Sequence, residues 1–236
     1  MTTTRHTLAW GALLLVTLTP QAALADWMIA SGGGDRAIPD ESFDYLSDDD
    51  RSFISSGFLT VQREAFYEFY LGVEYTWATE DAEPFSGLST HLNTTGLLAV
   101  ARLEHEVAPW FVPYLQVGAG AYYARLEVKL DDETRQQGVW VPGMSQLGGL
   151  EFRLPKPALR KVFGSTPNDA LWNFTAGLAI EAGYLHVGTA TFDDLQRPAP
   201  QRTLDPDEAP LPASPLSFGE VDLSGPMLRF ALHVRF

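Results

Sequence analysis

"AFYEFYLGVEYTWA", residues 65–78, is the stretch on which the fold turns. Its odd positions, Tyr67, Phe69, Leu71, Val73, Tyr75 and Trp77, are all large and apolar or aromatic, whereas Glu68, Gly72, Glu74 and Thr76 occupy even ones. Successive side chains of a β-strand point to opposite faces, so this segment has one oily face and one that carries carboxylates.

Five further segments repeat the pattern, each longer than the 5 or 6 residues of an ordinary globular strand. In residues 95–107, Leu97, Ala99, Ala101 and Leu103 oppose Arg102, Glu104 and Glu106. In residues 113–130, Leu115, Val117, Ala119, Ala121 and Tyr123 oppose Gln116, Gly118, Gly120 and Tyr122. The phase then changes, with Leu126, Val128 and Leu130 apolar, which predicts a bulge or the strand leaving a membrane. Residues 139–154 end with Leu150, Phe152 and Leu154 against Glu151 and Arg153, and residues 171–187 set Trp172, Phe174, Leu178, Ile180 and Tyr184 against Asn173, Thr175 and Glu181. The chain closes on "PMLRFALHVRF", residues 226–236, with Leu228, Phe230, Leu232, Val234 and Phe236 opposite Arg229, His233 and Arg235.

The first 25 residues are set apart from this architecture. Arg5 and His6 precede an apolar run from Leu8 to Leu18, Pro20 breaks it, and Ala23-Leu24-Ala25 fits a small-residue cleavage site, so residues 1–25 are expected to be a secretory signal peptide. Its apolar run is short of the roughly 20 residues that span a bilayer as a helix. Cleavage leaves 211 residues, 26–236, as one domain with a formal net charge of −15. Such acidity disfavours nucleic acid as a partner, since phosphates want Lys and Arg. The absence of Cys excludes a disulfide framework and thiolate chemistry.

A soluble β-sandwich or a lipocalin-like binder also alternates. Its strands are short, however, and its inward face is rich in Ile, Leu and Val. Here the face opposite the oily one mixes Gly, Thr, Gln and Tyr with charges of both signs: Glu74, Arg102, Glu104, Glu151, Arg153, Glu181, Arg229, His233 and Arg235. On one common side these form a barrel-interior polar network, and the aromatics at segment ends fit the two interfaces of a membrane. The expectation is an all-β fold: a closed antiparallel transmembrane β-barrel. Residues 26–63 contain two weaker candidates, "DWMIASGGG" and "SFISSGFLTVQ", which bring six strands to eight, with ten as the alternative. Short connections such as "APWFVP" and the basic "PKPALRKVFGSTPNDA" lie on one side. The acidic "TEDAEPFSGLSTH" and "DDETRQQG" and a Pro-rich stretch near residues 193–217 are predicted as loops on the other.

With its leader, segments such as "YLGVEYTW" and "PYLQVGAGAYY", and a last strand ending in Phe, the chain resembles the small outer-membrane β-barrel superfamily of Gram-negative bacteria, the OmpA- and OmpW-like proteins. The resemblance implies residence in the bacterial outer membrane among lipid and lipopolysaccharide. It also implies that Phe230, Leu232 and Phe236 serve as the assembly signal read by the barrel assembly machinery.

The resemblance implies no particular chemistry, and the residues point away from catalysis. "GYLHVGTA", residues 183–190, is somewhat similar to the region of lipid A deacylase barrels where a Ser follows a His by two positions, but that position here is Gly188. His186 then reads as an interfacial or strand-end residue. His233 offers a proton-transfer group in principle, with membership of the interior polar network as the plainer account. Asp44, Asp48, Asp49 and Asp50 are oxygen ligands of the kind calcium takes, yet they lack EF-hand spacing and read as a solvated acidic loop. No metal, cofactor or catalytic residue is assigned. The expected role is structural or surface-interacting, with transport of a small or hydrophobic solute second and lipid modification third.

Overall fold

The structure, a computed structural model, describes residues 27–40, 43, 53–85, 88–130, 133–154, 175–195 and 217–236. The leader, the acidic stretch from Asp44 to Asp50, the basic connection with Arg160 and Lys161, and Trp172 and Phe174 lie outside these residues. The strands are β1 (Trp27–Ala37), β2 (Phe53–Phe66), β3 (Phe69–Phe85), β4 (Leu88–Glu104), β5 (Phe111–Leu130), β6 (Glu133–Arg153), β7 (Thr175–Val187), β8 (Ala190–Phe192), β9 (Gly219–Val221) and β10 (Gly225–Arg235). Eight of them close an antiparallel barrel in the order β1-β10-β7-β6-β5-β4-β3-β2, and β8 and β9 pair separately. Both weak candidates between residues 26 and 63 are therefore full barrel strands. Closure is direct, because Trp27 and Phe236 exchange both backbone hydrogen bonds at 3.0 Å.

Residues 65–78 are two strands and not one. The chain reverses at Tyr67 and Glu68, with Glu68 in the left-handed region at φ 56° and a register shift between Glu64 and Phe66. Tyr67 is consequently a turn residue, 82 % exposed, and the continuous membrane face of β3 begins at Phe69. Alternation survives across a tight hairpin by coincidence of parity, which is why the turn left no mark in the sequence.

Apart from the shifted strand ends at Phe66 and beyond Ala82, a single parity rule governs the wall: even-numbered side chains of β1–β5 and odd-numbered ones of β6, β7 and β10 turn inward. Outward along β5 lie Phe111, Leu115, Val117, Ala119 and Tyr123. From Phe111 to Tyr123, at ~3.4 Å per residue and a tilt near 40°, the band is about 30 Å tall, the thickness of bilayer hydrocarbon. Aromatics bound it: Trp27, Phe111 and Phe152 toward the end that carries the termini, and Tyr75, Trp77, Tyr123 and Trp140 toward the opposite, loop end. Several are in ring contact, as in the pairs Phe111–Phe152, Tyr75–Trp77 and Tyr123–Trp140.

Past Tyr123 there is no bulge. The ladders of β5 with β4 and with β6 run without a register shift to the tip of the hairpin. Leu126 and Val128 stay on the inward side, buried, while Arg125 and Lys129 point out. The apparent change of phase is a change of solvent: outside lipid, the outer surface must be polar and the inside becomes an ordinary apolar core. For the same reason the acidic stretches predicted as loops are mostly strand. β3 runs on to Phe85, β4 starts at Leu88, and β6 starts at Glu133.

That extramembrane core joins Leu92, Ala124, Leu126, Val128 and Val141 of the wall to Ile38, Phe43 and Ile54 near the β1–β2 connection. Phe192, Leu195, Val221 and Leu223, around β8 and β9, fold over it from the β7–β10 connection. The barrel thus has two storeys inside, charged toward the termini and apolar toward the loops.

Candidate functional site

All nine residues assigned to the interior network by sequence do meet inside the barrel. Each is inward by parity, and Glu74, Arg102, Glu104, Glu151, Glu181, Arg229, His233 and Arg235 are at most 8 % exposed. Arg229 donates to Glu181 at 2.7 Å and to Glu74 at 2.8 Å. Glu74 also accepts from Thr60 and Gln116, each at 3.0 Å, and Gln62 donates to Gln116. Nearer the termini, Glu151 lies 2.7 Å from Arg102 and 2.8 Å from Arg235, and Glu104 pairs with Arg102, Arg153 and Arg235.

Tyr114 joins the two clusters. Its hydroxyl donates to Glu181 at 2.5 Å, and the Arg102 guanidinium sits over its ring, 3.4 Å from the centroid. The ring occupies the place of a side chain at Gly149, where an added Cβ would lie 2.1 Å from it. Four arginines, Arg102, Arg153, Arg229 and Arg235, face four glutamates, Glu74, Glu104, Glu151 and Glu181, each within ion-pair distance of at least one of the others. In so dry a place, charge balance is what permits the ions to be there at all.

His233 is wholly buried, its Nδ1 3.0 Å from Glu151. A group enclosed among guanidinium ions and without contact with solvent is held as a structural member of the network. His186, in contrast, points outward at the loop end, its ring tilted against that of Tyr184 with centroids 4.5 Å apart. Among the described residues, no group of three or more acidic, His or Cys side chains is placed to hold a metal ion.

Sequence reasoning missed Tyr114, Tyr70, Gln62 and Arg36. Tyr70 accepts from Arg235 at 2.9 Å. Tyr70 and Tyr114 were findable from parity, for they share the polar face of their strands with Glu74 and Gln116, whereas β1 and β2, which carry Arg36 and Gln62, had no face assigned by the sequence. Phe230 and Leu232 of the last strand face outward, 56 % and 50 % exposed, as does Phe236 at the rim.

A closed eight-stranded wall, apolar outside over a bilayer's thickness and ringed by aromatics, has only one environment that suits it. The chain is a transmembrane β-barrel. Its strands are built to cross a lipid bilayer. No family model matches the barrel, and no curated protein does. Among solved structures it is similar to Neisserial surface protein A (NspA), at 14 % identity and a TM-score of 0.48, over 92 % of this chain and 100 % of that one. It is also similar to Ail, the attachment invasion locus protein of Yersinia pestis, in complex with the heparin analogue sucrose octasulfate. That likeness is 10 % identity and a TM-score of 0.44, over 90 % of this chain and 99 % of the other. A second Ail structure aligns at 12 % identity and a TM-score of 0.41.

Proposed function

We propose that this barrel is a non-enzymatic structural or surface-interacting protein whose interior is closed to solutes. The observation that carries the reading is the bonded, charge-balanced network across the barrel, from Glu74, Arg229 and Glu181 to Arg102, Glu151 and Arg235. A barrel of eight strands is just wide enough to be filled by side chains. In planar bilayers the purified protein is expected to give no steady conductance. Sustained open levels in most insertions would overturn the reading.

In the proposed orientation the termini face the periplasm and the projecting β3–β6 hairpins face outward. The outward-facing Arg125 and Lys129 then stand above the lipid, at the level of lipopolysaccharide headgroups and of surface partners. A second reading, carriage of a hydrophobic solute, draws on the apolar upper storey. Lipid modification has less support, since His186 is followed two positions later by Gly188.

Phe236, with Phe230 and Leu232, is proposed to be what the assembly machinery recognises. Removal of Phe236 also takes away the two hydrogen bonds that join the ends of the wall. The expected result in cells is a several-fold fall in the fraction of protein that migrates as the compact, heat-modifiable band on an unboiled gel. An unchanged fraction would remove Phe236 from this role.

A further inference from the structure

Where the two storeys meet there is a cavity of about 30 Å³, and Arg36, Glu74, Tyr122, Ser145 and Arg229 contribute polar groups to its lining. Two of these groups are left over. Arg36 Nε and Ser145 Oγ have no hydrogen-bond partner among the described residues, although Arg36 is only 5 % exposed and Ser145 1 %. Orphaned buried donors cost free energy, and here they sit beside empty space. Glycines shape the surroundings. The Tyr122 ring fills the side-chain places of Gly96 and Gly143, where an added Cβ would lie 2.4 Å from it, and Ser145 Oγ stands 2.6 Å from the position of a Cβ at Gly118.

The charges around the cavity do not cancel. Arg229 and Glu74 already satisfy one another, with Glu181, Gln116 and Thr60 completing their contacts. The arginines of the network, Arg102, Arg153, Arg229 and Arg235, are each in at least one ion pair with its four glutamates. Arg36 is in none among the described residues. Asp222 is the carboxylate whose charge reaches it, but Asp222 is exposed, so water weakens that attraction. Leu185 and Met227 line the cavity beside Arg36 and offer it no counter-charge. A buried cation without one is costly. Water in the cavity would take up both hydrogen bonds and leave the charge.

Two donors without acceptors, one surplus positive charge and an enclosed space of this size describe a site for a small anion of single charge. We infer that the cavity holds one halide ion, which accepts from Arg36 Nε and Ser145 Oγ. A single negative charge offsets the one that the network leaves over, whereas a divalent oxyanion would set a second against the Glu74 carboxylate in the same lining. The volume exceeds the roughly 10–15 Å³ that one water needs, and a halide is only slightly larger than a water. An ion taken up as the barrel closes displaces nothing from the apolar core above or the charged network below. It is seated and not conducted, so the site stands or falls apart from the conductance result.

The test uses the full-length mature barrel, refolded in a neutral detergent in sodium bromide or, at equal ionic strength, in sodium gluconate, whose anion is too large for the cavity. At a fixed urea concentration near the midpoint, a tenfold rise in bromide is expected to raise the ratio of compact to unfolded band by up to about tenfold, the limit for one saturating site on the folded state. Arg36→Met is expected to lose this dependence and Ser145→Ala to need several-fold more bromide for the same gain. In gluconate Arg36→Met is expected to keep its compact band, since it sheds a charge that no neighbouring carboxylate pairs. Anomalous diffraction from wild-type crystals grown in bromide needs no variant, and a peak within hydrogen-bond distance of Arg36 Nε and Ser145 Oγ is expected. A cavity that holds water only would overturn the assignment. So would equal band ratios in the two salts, or a bromide dependence that survives Arg36→Met, which would be an effect of salt on the protein surface.

Discussion

Replacing Arg229 with Met will cost the barrel about 3–5 kcal/mol, the toll of leaving buried carboxylates without their cation. Arg229 lies 2.8 Å from Glu74 and 2.6 Å from Glu181 and is only 3 % exposed, so both carboxylates depend on it for a cation. Against a total stability of roughly 5–15 kcal/mol, that is a large fraction. The measurement is the urea midpoint at which the compact gel band disappears. The triple variant Glu74→Gln, Glu181→Gln, Arg229→Met is expected to recover much of the loss, because it removes both orphaned charges together. An Arg229→Met midpoint equal to the wild type would mean that the network is solvated, and with it the closed interior would fall.

The second large effect is on the outer surface. Val117 faces outward, 53 % exposed, midway between Phe111 and Tyr123 on β5. Val117→Arg places a cation near the bilayer midplane and is expected to lower stability by about 2–4 kcal/mol. Glu127→Arg, on the same face of the same strand but beyond the aromatic band, is expected to stay within about 0.5 kcal/mol. Refolding into vesicles under a urea series checks both. Equal effects at the two positions would contradict the stated height of the membrane. Leu126 sharpens the contrast, because a bulge would have turned it outward; it is instead fully buried.

Much of this was written in the chain. Alternation at Leu97–Leu103, Leu115–Tyr123 and Leu228–Val234 gave a two-faced wall, and the charges on its polar side made that side an interior. The candidate network was legible for the same reason: in a strand, parity assigns a face without knowledge of any contact. Where the reading failed, parity was not enough. The reversal at Tyr67 and Glu68 kept the alternation intact, and the apolar Leu126 and Val128 left a bulge and an exit from the membrane as equal alternatives, because the sequence does not mark where lipid ends.

The pairing of charges was beyond the sequence as well. Arg229 and Glu74 are 155 positions apart and meet only because the last strand and the third face each other across a narrow barrel. Arg36 is isolated for a related reason. It stands near the loop end of β1, where it lines the cavity beside Tyr122, Leu185 and Met227. By itself the sequence determined which side of each strand lipid would accept, since that depends on single side chains and a period of two. Only the tertiary structure decided which charges neutralise one another and which one is left over. Those outcomes depend on register and on the closure of the wall between Trp27 and Phe236, and no local pattern encodes them.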